Sequence, residues 1–232
     1  MNVYIVRHAQ SRQNVNDPEN HPFLPEVAEY EDRDFSLTAL GEQQADLAGQ
    51  RLAQKELKTV LCSPLHRHMS TANGIIRYQK NKTVELINDL FEKGIHSYAG
   101  MPLELMQKLF PDMNIIPCPN PTPTGGKYIY TLEEMYDKQE LLARARRVAN
   151  YVVNRFEDED TILIISSGDF MSRYLIACLL DLPDELVLRS GFGCTKGSIG
   201  KIVIEKKKNR RSCAFLNDTA HLDIGHGNIP LR

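Results

Sequence analysis

Between Thr161 and Ser166 the chain reads Thr-Ile-Leu-Ile-Ile-Ser, with no polar side chain from Ile162 to Ile165. Successive side chains of a strand point to opposite faces, so a run without alternation buries both faces. That is the setting of a parallel strand with helices on either side. Residues 2 to 7 have the same character through Val3-Tyr4-Ile5-Val6, and they run into Arg7-His8-Ala9-Gln10-Ser11. In open α/β sheets, ligands bind beyond the carboxyl ends of the strands. The end of this strand therefore carries a guanidinium able to hold a phosphate and an imidazole able to attack its phosphorus.

The rest of the chain fits strand and helix alternation. A polar connection from about 12 to 36 holds Pro22, Pro25 and seven carboxylates, a length typical of functional loops. Thr38 is a good N-cap for a helix with Leu40, Leu47 and Leu52 as inward positions. A strand at 58–62 ends at Ser63-Pro64, and residues 65–79 follow as a helix with Met69, Ala72 and Ile76 on one face. Another strand is expected at 84–90, followed by a polar turn carrying Glu92 and a weakly structured Pro/Gly segment at 117–126. Thr131-Leu132-Glu133-Glu134 is a capping box that opens a helix expected to reach Phe156. After the 161–165 strand come Ser166-Ser167-Gly168, a helix to about Leu180, and strands near 198–205 and 212–216 around the basic turn 206–211. These elements imply one domain over 1–232, an α/β/α three-layer sandwich with a mainly parallel sheet, with 12–36 and 93–130 covering the pocket.

Composition narrows the function classes. Hydrophobic residues make up 42% of the chain, enough for an ordinary core, and the formal charge of −2 provides no global basic field for nucleic acid or anionic membranes. No apolar run approaches the ~20 residues of a membrane span and no leader pattern opens the chain, so a cytoplasmic protein is expected. Five cysteines are scattered without Cys-x-x-Cys spacing, which favours reduced thiols over disulfides or zinc ligation.

Taken singly, His8 would be a structural histidine, Arg67 a solvated residue in a first helical turn, Glu92 a loop carboxylate and Asn14 a turn cap. Taken in order, they form a pattern. Arg7-His8-Ala9-Gln10-Ser11 through Asn14, Leu37-Thr38-Ala39-Leu40-Gly41, Ser63-Pro64-Leu65-His66-Arg67 through Thr71-Ala72, and Leu90-Phe91-Glu92 with Tyr98 and Gly100 resemble motifs of the histidine phosphatase superfamily, the phosphoglycerate mutase-like family. Leu216-Asn217-Asp218-Thr219-Ala220-His221-Leu222 is similar to a recurrent ending of that family. The resemblance implies that His8 is the nucleophile and Glu92 the acid/base. It also implies that Arg7, Asn14 and Arg67 hold a small phosphorylated substrate, and that neither metal nor cofactor is required.

One position departs from the pattern. The family places a second histidine in a Ser-His-Gly strand end, and this chain has Ser167 there. Ser167 keeps one O–H donor but is shorter and never cationic. Loss of one preorganised donor lowers turnover by roughly 10²–10³-fold in a comparable case, so a phosphatase of reduced activity is expected. His96 and His221 are candidates to reach inward in its place, and Ser167 is equally a helix N-cap. A non-catalytic phospholigand-binding or scaffold protein and a mutase are the alternatives. Oligomeric state is left open by the sequence.

Overall fold

The computed structural model describes residues 1–15, 34–94, 100–120 and 122–222, so His96, Tyr98, His226 and most of the 12–36 connection lie outside the described residues. Seven strands form one sheet: β1 (Asn2–Arg7), β2 (Thr59–Cys62), β3 (Thr83–Leu86), β4 (Asn114–Ile116), β5 (Thr161–Ser166), β6 (Ile199–Glu205) and β7 (Arg210–Asp218). Their order is β4-β3-β2-β5-β1-β6-β7. The first five are mutually parallel, and β6 runs antiparallel to both β1 and β7.

Alternation along the buried strands divides the core in two, as their sequences require. Val3, Ile5, Ile162 and Ile164 face a cluster with Leu141, Val148 and Val152 of α5 (Lys138–Arg155) and Phe170, Leu175 and Leu179 from the helical stretch after β5. Tyr4, Val6, Leu163 and Ile165 face the opposite cluster, with Ala48 and Leu52 of α1 (Ala39–Leu52), Met69, Ala72 and Ile75 of α2 (His66–Ile76) and Met106 of α3 (Leu103–Leu109). The result is the expected α/β/α sandwich. The stretch after β5 comprises α6 (Gly168–Phe170), a π-turn at Met171–Leu175 and α7 (Ile176–Leu179), with α8 (Asp184–Val187) beyond it.

Register places the site. Arg7 lies opposite Ser166, and Cys62 pairs with both Ile165 and Leu86, so the carboxyl ends of β1, β5, β2 and β3 finish along one edge. The chain leaving β1 enters α1 on one face, whereas the chain leaving β5 enters α6 on the other. Between two strands whose connections part in this way lies the crevice where α/β sheets bind ligands.

Several local expectations are corrected. The buried face of α1 is Gly41, Gln44, Ala45, Ala48, Gly49 and Leu52, while Leu40 and Leu47 remain half-buried. Small residues win because α2 packs close: a Cβ on Gly49 would stand 2.6 Å from the Gly74 carbonyl oxygen. The helix expected from 131 to 156 is two, α4 (Leu132–Tyr136) and α5, divided at Asp137. Asp137 has an extended backbone and its carboxylate accepts from Gln139 N, starting a new helix. The capping box itself is present, with Thr131 N donating to Glu134 and Glu134 N to Thr131. The 93–130 region contains α3 and β4, which extends the sheet beyond β3. All five cysteines are free.

Candidate active site

His8 follows directly from β1 and is 2% exposed. Its Nδ1 donates to the Ala9 carbonyl at 2.8 Å; a carbonyl can only accept, so Nδ1 carries the proton and Nε2 keeps its lone pair. Burial, reinforced by Arg67 and Arg7, pushes the imidazole pKa well down. The ring is therefore neutral, with its nucleophilic nitrogen directed away from the backbone.

Arg7, the last residue of β1, turns its guanidinium across the end of β5. Nη1 donates to the Cys194 carbonyl at 2.7 Å, and Nε is buried with no hydrogen-bond partner among the described residues. The approach is close: a Cβ on Gly168 would stand 2.5 Å from Nε and 2.6 Å from Cζ, so a larger residue there would displace the guanidinium. The loop supplying Cys194 is held in turn by the C-terminal motif. Thr195 N donates to Asn217 Oδ1 at 2.6 Å, and the buried His221 bonds through Nε2 to the Gly197 carbonyl at 3.0 Å. Gly197 N reaches back to the Arg7 carbonyl at 3.2 Å. His221 thus supports the loop behind β1.

Arg67, in the first turn of α2, is fully buried. Nη2 donates to Glu92 Oε2 at 2.5 Å, and Nη1 lies 3.7 Å from Asp34 Oδ1. Arg67 Nε and Nη1 have no hydrogen-bond partner among the described residues. Asp34 also anchors the backbone here. Both its oxygens accept from His66 N at 2.7 Å, which satisfies the start of a helix whose own N-cap, Leu65, has no side chain to do so.

Glu92 follows a tight turn at Asn88–Leu90 beyond β3. Ser166 Oγ donates to the Leu90 carbonyl at 2.8 Å. Arg144 of α5, fully buried between the rings of Tyr130 and Phe170, donates to the carbonyls of Asp89 at 3.1 Å and Phe91 at 2.6 Å. A cation on the opposite layer thereby fixes the segment that carries the carboxylate.

Ser167 has the backbone of an N-cap, but its hydroxyl caps nothing. Its Oγ lies 2.9 Å from His68 Nε2. His68 is fully buried on α2, and its ring centroid is 5.0 Å from that of His8 with the planes tilted by 57°. Asn14 stands apart: it is exposed, and its Oδ1 accepts from Ser11 N at 3.2 Å and Ser11 Oγ at 3.0 Å. The structure thus brings together Arg7, His8, Arg67, Glu92 and Ser167, and leaves Asn14 capping a local turn. Asp34, Arg144 and His68 are additions that sequence reasoning missed. Only His68 had a signal: a histidine beside Arg67 at the start of a helix, in a chain lacking the strand-end histidine.

Among the described residues, no group of three or more His, Cys, Asp and Glu side chains is arranged to hold a metal ion. None of the described helices is long and apolar enough to cross a membrane. A cavity of about 660 Å³ opens at the other end of the sheet, lined by Lys58, Gln79 and Asp160 among others, away from these groups.

Known proteins resemble this chain to different extents. The uncharacterized phosphatase PhoE of Bacillus subtilis is 34% identical over 105 residues, 45% of this chain and 48% of that protein, so the match spans about half the length of this relative. The YhfR structure from Bacillus stearothermophilus superposes with a TM-score of 0.62 at 19% identity, covering 96% of this chain and 99% of that one. The alpha-ribazole phosphatase of Shigella flexneri gives a TM-score of 0.55 at 21% identity, over 94% and 96% of the two chains. These two likenesses show a shared fold. The profile of the histidine phosphatase superfamily (branch 1) matches residues 3–219, a span that runs from β1 with its Arg7-His8 end to the motif that holds the Cys194 loop. By that match the chain belongs to the histidine phosphatase superfamily, branch 1.

Proposed function

We propose that this protein hydrolyses phosphomonoesters through a phosphohistidine on His8. The observation that carries the reading is the orientation of His8: Nδ1–H is spent on the Ala9 carbonyl, which leaves Nε2 as a neutral nucleophile in the field of the buried Arg67 and the half-buried Arg7. A residue kept only to hold a phospholigand has no need of that tautomer.

In the first step, His8 Nε2 forms a bond to phosphorus as the bond to the ester oxygen breaks. Arg7 and Arg67 take the equatorial oxygens, where transferring charge is spread. For Asn14 to join them, its amide nitrogen has to turn in from the Ser11 turn where its oxygen is held. Glu92 gives a proton to the leaving oxygen. As the phosphoryl group docks on Arg67, the guanidinium that binds Glu92 Oε2 turns to the phosphoryl oxygens and leaves the carboxyl free to face the leaving oxygen. In the second step Glu92 takes a proton from water, whose oxygen attacks phosphorus and releases His8. Neither step calls on a metal or an organic cofactor. If Ser167 alone stands where a second histidine is expected, the site is one donor short and turnover falls by roughly 10²–10³-fold.

The segments 12–36 and 93–130, which flank Arg7 and Glu92 in the chain, are where substrate choice resides in this account. A cytoplasmic location suits a small phosphorylated metabolite as substrate.

The test is hydrolysis of an aryl phosphate and of several alkyl phosphomonoesters, with phosphate release and all phosphorylated products measured for the wild type and His8→Ala. Phosphate release that is lost in His8→Ala supports the reading. Isomerised phosphoester in place of free phosphate would indicate a mutase. Phosphate binding without turnover under any condition would leave a binding protein.

A further inference from the structure

The chain lacks a histidine at the end of β5 and has a buried one at the start of α2, and the two positions meet. Ser167 Oγ and His68 Nε2 are 2.9 Å apart, across 99 residues of sequence. We infer that His68 supplies the second histidine of the phosphoryl site from α2, and that Ser167 is its positioning partner; the inference rests on the phosphatase reading above.

Three observations carry it. The first is proximity: the His68 ring reaches Ser167 at the strand end, and its centroid stands 5.0 Å from that of the His8 ring. The second is the hydroxyl. At the N-cap of α6 a serine side chain would ordinarily accept from the helix backbone, yet Ser167 turns to His68 instead. The third is an unmet group: His68 Nδ1 is buried with no hydrogen-bond partner among the described residues, as are Arg7 Nε and Arg67 Nε beside it. A purely structural histidine with both nitrogens buried would be expected to satisfy both.

The chemistry follows from the serine. When Ser167 O–H donates to Nε2, the proton of the imidazole sits on Nδ1, which then becomes a donor for a phosphoryl oxygen. When a dianionic phosphoryl group is bound, the ring takes up a second proton from solvent water, the Ser167 hydroxyl keeps its own and turns it away, Nε2–H donates to Ser167 Oγ, and Nδ1–H still faces the anion. The hydroxyl thus switches between donor and acceptor with Oγ in place. Burial and the nearby Arg67, His8 and Arg7 hold the ring neutral while the site is empty, which fits a donor that becomes cationic only with an anion in place.

The experiment compares wild type, His68→Ala, His68→Asn, and the exchange variant carrying both His68→Ala and Ser167→His. Aryl phosphate kinetics are measured together with binding of orthovanadate, which takes the trigonal-bipyramidal form of the reacting phosphoryl group. Thermal unfolding identifies folded variants. The expected result is a loss of about 10²-fold in kcat for His68→Ala, a parallel weakening of vanadate binding, a smaller loss for His68→Asn, and recovery to within about tenfold of wild type in the exchange variant. His68→Asn retains an N–H donor and stands in for His68→Ala if the latter fails to fold. A wild type that turns over with His68→Ala at full rate and full vanadate affinity overturns this inference alone. A folded exchange variant no better than His68→Ala overturns it as well. A wild type that neither turns over nor binds vanadate removes the phosphatase reading, and this inference with it.

Discussion

Replacing Gly168 by alanine puts a methyl group into the guanidinium of Arg7. The added carbon would stand 2.5 Å from Nε, 2.6 Å from Cζ and 3.0 Å from Cδ, where ordinary contact begins at 3.4 Å. The backbone at 168 is pinned between β5 and α6, so the arginine gives way, by about 0.9 Å along that line. Such a shift also strains the 2.7 Å bond from Nη1 to the Cys194 carbonyl. Misplacing a substrate-positioning group by about 1 Å costs on the order of 10² in rate, equivalent to about 2.7 kcal/mol of transition-state stabilisation. Overpacking costs a further 1–3 kcal/mol or so of folding stability. The assay is kcat/KM for an aryl phosphate alongside urea unfolding, with Gly191→Ala as control because no atom of the described residues lies within 4 Å of its added carbon. Gly168→Ala should lose about 100-fold in rate while Gly191→Ala stays within twofold. A folded Gly168→Ala protein with wild-type kinetics would refute the placement of Arg7 against this glycine as a catalytic requirement.

Further expectations concern acid stability, proton donation and local folding. His66 is buried against Phe110, and desolvation lowers its pKa to about 4 from 6.5. The unfolded chain takes up that proton first as pH falls, so this contribution is intact above pH 6.5 and is lost progressively towards pH 4, by about 3 kcal/mol. Urea midpoints at pH 7 and pH 4 should show the decline, and His66→Gln should reduce it; a decline unchanged by the substitution would exclude His66 as a source. Glu92→Gln should slow formation of the phosphoenzyme by 10²–10⁴-fold or so with an alkyl phosphate, and less with an aryl phosphate whose leaving group needs less protonation. Equal losses with both would rule out the general-acid role. Thr131→Ala removes one half of the α4 capping box and should cost about 1 kcal/mol of stability, a drop of roughly 2–4 °C in Tm, with kcat unchanged.

The sequence was most informative where burial is complete. β1 and β5 are apolar on both faces and could be placed almost to the residue, and that pattern alone implied helices on both sides. Small-residue packing was harder to see: α1 buries glycine and alanine against α2, so the search for leucines found Leu52 but missed the rest of the buried stripe. The division at Asp137 was hidden because the apolar spacing continues through it, and only the aspartate's extended backbone and cap separate α4 from α5. The short α3 and β4 lay in a region dominated by proline and glycine signals.

The site divides in the same way. Arg7, His8, Arg67 and Glu92 stood out only through the order in which they resemble the family's motifs, since each taken singly had an ordinary structural reading; the fold then brings the four together. Asp34 and Arg144 did not stand out, since what they do depends on which distant backbone groups the fold brings to them: His66 N for one, the carbonyls of Asp89 and Phe91 for the other. The relation of Ser167 to His68 required the packing of α2 across the end of β5, which no local pattern reports.

The central claim is a covalent bond between phosphorus and His8 Nε2. It is tested most directly by mixing the wild-type protein with a phosphomonoester, quenching within milliseconds in alkali, where phosphohistidine survives, and locating the added phosphoryl group by mass spectrometry. The account predicts a phosphoryl group on His8 that is released by acid, accumulates further in a Glu92→Gln variant given an aryl phosphate, and is absent in His8→Ala. Turnover of the ester with His8 unmodified at every quench time in both proteins, or with full activity retained in His8→Ala, would contradict it.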